Sequence, residues 1–95
     1  MAGELKHIKD FYIPVLRILQ DKGGKANLEE ICTAFQAGYG SMLDPSFFIE
    51  IKDGDIKWRD YINRAGYQLV KKGYINRGVA RGVWVSSGKP IPDTF

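Results

Sequence analysis

Between residues 57 and 71 the chain gathers Lys57, Arg59, Asn63, Arg64, Gln68 and Lys71. An arginine fork matches O6 and N7 of guanine, and the amides of Asn and Gln match N6 and N7 of adenine. Such a set on one surface has the chemistry to read base edges in a major groove. The set needs a helix with a buried opposite face. Trp58, Tyr61 or Ile62, Ala65 and Leu69 recur at i, i+3/i+4, i+7 and i+11. This spacing predicts a helix from Asp55, as N-cap, to about Lys72, ended by Gly73.

Beyond Gly73, Tyr74-Ile75-Asn76 and Val83-Trp84-Val85 are β-rich triplets around the Gly-punctuated stretch Arg77 to Gly82. They predict a hairpin with Arg77 and Arg81 beside its tip. Gly78 and Gly82 would let that backbone approach a phosphate or enter a minor groove.

Other reactive side chains do not assemble a catalytic set. Glu50-Ile51-Lys52 and Asp55-Ile56-Lys57 each match the acid-x-Lys part of a metal-dependent nuclease motif, with Asp44 upstream. Such a motif needs a central sheet to converge its acids, and this region supplies one short candidate strand. The only cysteine, Cys32, falls on the apolar face of a helix and reads as a core thiol. With one histidine, His7, no zinc ligand set exists. Catalytic residues, metal and cofactor are therefore all expected to be none.

The remaining elements follow from periodicity and punctuation. Phe11, Val15, Leu16 and Leu19 predict a first helix over about 11–20, with Asp10 as N-cap, Pro14 in its first turn and Gly23-Gly24 ending it. Asn27-Leu28-Glu29-Glu30 is a capping-box pattern, and Leu28, Ile31, Cys32 and Phe35 carry the second helix to Gly38 or Gly40. Residues 39–55 read mostly as loop, with Phe47 to Ile51 a short strand. The expected fold is α+β: a winged helix, with a three-helix helix-turn-helix core and a C-terminal β-hairpin wing. It spans 11–87, between an N-terminal arm (1–10) and a C-terminal tail or linker (88–95).

At 95 residues and 44% hydrophobic content the chain is one domain with a real core, too short for a multidomain enzyme. Its formal charge of +3 is unevenly placed. Residues 1–56 hold six basic and nine acidic side chains, and residues 57–95 hold eight basic and two acidic. The +6 half contains the polar helix and the hairpin, which points to a localised anion-binding surface. No apolar run reaches a membrane span and no secretory signal is evident, so a soluble cytoplasmic protein without membrane association is expected.

Ile18-Leu19, Gly23-Gly24-Lys25-Ala26 and Glu30-Ile31 lead to Trp58, Ile62, Ala65, Leu69, Lys72-Gly73-Tyr74-Ile75 and Arg81-Gly82-Val83-Trp84. Together they resemble the Mrr-type N-terminal winged-helix domain of modification-dependent restriction systems, over about residues 11–87. Ser86 stands where Thr is common after the Trp, and Gly66 interrupts the third helix, marking close packing or close approach to DNA. The resemblance implies a double-stranded DNA-binding specificity module working with a nuclease domain in the same or a partner chain. It also implies reading of N6-methyladenine in duplex DNA, for which Tyr39, Trp58 and Tyr67 are the candidate methyl-base contacts. Tyr67 joins Lys57, Arg59, Asn63, Arg64, Gln68, Lys71, Arg77 and Arg81 in the expected DNA-binding set. The alternative is a winged-helix protein-protein interaction or dimerisation module without DNA binding, docking through the hairpin or through Phe47-Phe48.

Overall fold

The computed structural model describes residues 5–52, 54–77 and 82–93, with Lys52 and Arg77 described by backbone alone. Three α-helices and two small antiparallel sheets make up an α+β fold among these residues. A 3-10 turn, Ile8–Phe11, runs directly into α1, Tyr12–Asp21. Asp10 is therefore not the cap of α1. Its carboxylate accepts the backbone N–H groups of Lys6 at 3.1 Å and His7 at 2.9 Å, capping the 3-10 turn one element earlier. Residues 5–10 are tied to the body, since Leu5 is buried and its N–H donates to the Met42 carbonyl at 3.2 Å.

Gly23 and Gly24, both at positive φ (83° and 90°), turn the chain from α1 into strand β1, Lys25–Asn27. Helix α2, Leu28–Tyr39, opens on the expected capping box: Glu30 N–H donates to Asn27 Oδ1 at 2.8 Å and Asn27 N–H to Glu30 Oε1 at 3.1 Å. Two of the orphan donors at the helix start are satisfied reciprocally.

The link from α2 to the third helix holds more structure than a loop. Pro45–Phe48 is a 3-10 turn, with Asp44 accepting the Ser46 N–H at 2.9 Å and Pro45 at the first position. The strand expected from Phe47 starts only at Glu50. Strand β2, Glu50–Lys52, pairs with β3, Asp55–Ile56. Asp55 lies in that strand rather than at the helix cap. Its carboxylate accepts the adjacent Ile56 N–H at 3.0 Å, and Ile56 occupies the N-cap position without a side-chain bond. Helix α3 then runs Lys57–Lys71 and ends before Gly73.

Strands β4, Ile75–Arg77, and β5, Val83–Ser86, form the expected hairpin, with Arg77 opposite Trp84. Strand β5 is also the centre of a three-stranded sheet in the order β1-β5-β4, with Ala26 opposite Trp84. Strand β1, with Ala26 alone buried, carries no local pattern that marks it as a strand.

The core sits where the three helices meet this sheet. The Phe11 and Phe35 rings stack at 5.1 Å between centroids, and Phe35 and Trp58 stack at 6.1 Å. This column of rings joins the 3-10 turn, α2 and α3. Ile62, Ala65 and Leu69, one face of α3, are fully buried beside it. Gly66 extends that face toward the sheet, because a Cβ there would stand 2.6 Å from Cζ2 and 2.8 Å from Cζ3 of Trp84. Close packing accounts for this glycine. After β5 the chain folds back: the Ser87 hydroxyl donates to the Gly73 carbonyl at 2.7 Å, and Ile91 packs against the core.

Candidate nucleic-acid interface

With Trp58, Ile62, Ala65, Gly66 and Leu69 turned inward, the outward line of α3 runs through Asp60, Arg64, Tyr67 and Lys71 at i, i+4, i+7 and i+11. Lys71 is exposed, as are the Arg64 side chain (61%) and Tyr67 (49%). Asn63 and Gln68 flank this line and are half-buried. The structure thus brings Asn63, Arg64, Tyr67, Gln68 and Lys71 to one side of one helix.

Two expected members have their cationic groups engaged elsewhere. Arg59 is half-buried at the helix start, where its guanidinium pairs with Glu29 of α2. That hydrogen bond holds the Arg59 pKa above its ordinary value. Arg59 thereby fastens α3 to α2, at a position turned away from the outward line. Lys57 lies over the rings of Phe47, at 4.9 Å, and Tyr61, at 5.8 Å, so its ammonium is engaged with the aromatic face of the α2–α3 link.

The aromatic candidates separate in the same way. Trp58 is 4% exposed and stacked on Phe35, so as placed its ring has no face to offer a base. Tyr39 packs against Phe35 at 5.3 Å and lines an open groove between α1 and α2 with Ile18, Lys22 and Ala34. Tyr67 alone of the three lies on the outward line of α3. On the hairpin, Arg77 is in β4 with its side chain outside the description, and Arg81 lies outside the described residues.

Asp60 was missed by reading only cations and amides. Its carboxylate accepts Arg64 Nε at 2.6 Å across one helical turn. The i,i+4 spacing of acid and arginine in the sequence is the signal that identifies this pair.

The acids of the two acid-x-Lys triplets, Glu50 and Asp55, stand on the paired strands β2 and β3. Asp44 and Asp55 accept backbone N–H groups, and the backbone and side-chain hydrogen bonds from Ser46 hold Asp44 below its ordinary carboxylate pKa. No group of three or more His, Cys, Asp or Glu able to hold a metal occurs among the described residues. Cys32 is buried, and desolvation pushes its thiol up to about 11.

A different exposed feature lies on the α2–α3 link. Of the adjacent phenylalanines, Phe47 is buried (3% exposed) and Phe48 is 46% exposed; Ile49 and Ile51 are exposed beside it.

No protein-family model, curated protein or solved structure matches the chain. Among the described residues no helix is long and apolar enough to cross a membrane.

Proposed function

We propose that the chain is a winged-helix domain that binds double-stranded DNA, with α3 in the major groove and the β4–β5 hairpin on the backbone. The observation that carries this reading is the outward line of α3, where Arg64, Tyr67 and Lys71 are exposed with Asn63 and Gln68 at its flanks. Cations supply attraction to phosphate, and forked or amide side chains supply base readout. The helix and strand order, with a sheet β1-β5-β4 packed on three helices, is compatible with such a fold. The +6 balance of residues 57–95 supports the same surface. Arg77 and Arg81 complete the reading as phosphate contacts.

The domain is read as a cytoplasmic specificity module of a restriction-type system, without chemistry of its own, serving a nuclease domain in the same or a partner chain. Tyr67 is its candidate for the N6-methyl group of adenine, since it combines exposure with an aromatic face on the reading helix. Titration of fluorescent duplexes, unmethylated, hemimethylated and fully methylated at adenine, at two salt concentrations tests this. Affinity that falls steeply with salt is expected of DNA binding. Equal affinity for the three duplexes would remove the methyl-reading role and leave duplex binding intact.

A second reading rests on Phe48, Ile49 and Ile51. Three neighbouring exposed apolar side chains, at the end of the 3-10 turn and the start of β2, favour a protein-interaction or dimerisation module. Association through that patch would be insensitive to salt.

A further inference from the structure

We propose that Asp60 is a positioning residue for Arg64, and that the pair reads a guanine in the major groove; this rests on the DNA-binding reading above. Arg64 Nε donates to Asp60 Oδ2 at 2.6 Å, and the guanidinium makes no other hydrogen bond among the described residues. The Asp60 side chain is 20% exposed and that of Arg64 is 61% exposed, so the carboxylate is the sheltered end of the pair and the guanidinium the open one. Engaging Nε leaves both terminal nitrogens of the fork available. Two parallel N–H groups from them match O6 and N7 of guanine, an arrangement no other base edge offers in the major groove.

Asp60 acts in two directions at once. An arginine already held by a charge-assisted bond gives up less rotamer freedom when it meets a base, so the fork is preorganised for guanine. A carboxylate beside the guanidinium also repels phosphate and partly neutralises Arg64, which weakens its sequence-independent attraction to the backbone. Removing the carboxylate charge therefore lowers base preference while general affinity holds or rises. A pair that merely stabilised the helix surface would change neither quantity selectively.

The test uses the full chain and a pool of duplexes with a randomised ten-base-pair window, selected by binding and then sequenced. The wild type is expected to enrich guanine at one position about tenfold. Asp60→Asn is expected to lose most of that enrichment with unchanged or higher affinity for the unselected pool. Arg64→Lys, which keeps the charge and removes the fork, is expected to lose the same enrichment. The proposal is overturned if Asp60→Asn keeps the guanine preference, or if the wild type has no guanine position that Arg64→Lys erases. Absence of duplex binding at low salt would overturn the DNA-binding reading along with this inference, whereas binding without an Asp60-dependent preference overturns this inference alone.

Discussion

The indole of Trp84 in β5 fills the space that a side chain at Gly66 in α3 would occupy: three of its ring carbons lie within 3 Å of the Cβ position. Glycine in a helix interior is unfavourable by about 1 kcal/mol relative to alanine, so Gly66→Ala gains helix propensity. The gain is outweighed, because a rigid ring held between β1 and β4 has no flexible end to yield, and overpacking costs about 1–3 kcal/mol or more. Gly66→Ala is expected to lower the thermal midpoint, and to do so much less when combined with Trp84→Leu. A stabilising Gly66→Ala in the wild-type background would contradict the packing.

Phe47 and Phe48 are neighbours in sequence with opposite surroundings. The Phe47 ring sits edge-on to Tyr61 at 5.0 Å and tilts against Phe11 at 5.8 Å, whereas Phe48 is 46% exposed. In urea denaturation, Phe47→Ala is expected to lose about 3–5 kcal/mol, and Phe48→Ala no more than about 0.5 kcal/mol. Similar losses for both would place Phe48 inside a contact the monomer lacks, as the interaction-module reading requires.

What could be read in advance divides along the range of the interactions involved. The Asn27–Glu30 capping box and the inward face Trp58, Ile62, Ala65 and Leu69 were legible because a cap and a helical stripe are written within a few turns of chain. Strand β1 was not. Its three residues bury only Ala26, too few for any period, and they become a strand because β5 arrives from more than fifty residues away. Asp10 and Asp55 have the right residue type for helix caps, yet the 3-10 turn and the β2–β3 hairpin move the helix starts past both. At the candidate site, exposure of Arg64, Tyr67 and Lys71 followed from helical phase. The engagement of Arg59 with Glu29 and of Lys57 with Phe47 depends on how α2 and its link pack on α3, which no local pattern encodes.

Cys32 couples the core to pH. Burial raises its thiol from 9.0 to about 11, with Glu29 and Asp55 pushing the same way and Arg59 opposing them. Between these values the unfolded chain releases the proton while the folded chain retains it. The contribution is complete below pH 9 and is lost as pH rises toward 11. Unfolding free energy should therefore fall more steeply with pH over this window in the wild type than in Cys32→Ala, a difference in which tyrosine and lysine titrations cancel. The native thiol should also react slowly with iodoacetamide at pH 8, and fast alkylation without unfolding would contradict its burial.

The separation of Arg59 from the outward line of α3 makes the salt dependence of DNA binding residue-specific. A cation that neutralises a phosphate contributes about 0.9 to the slope of log affinity against log salt. Lys71→Ala is expected to lower that slope by about one and weaken all duplexes alike. Arg77→Ala and Arg81→Ala are expected to do the same if the hairpin lies on the backbone. Asn63→Ala and Gln68→Ala should instead alter sequence preference, because an amide carries no charge to exchange for counterions. Arg59→Ala should leave the slope unchanged, since its guanidinium is engaged with Glu29. A full unit lost on removing Arg59, with none lost on removing Lys71, would place the DNA on the α2 side of the helix and overturn the docking face proposed for α3.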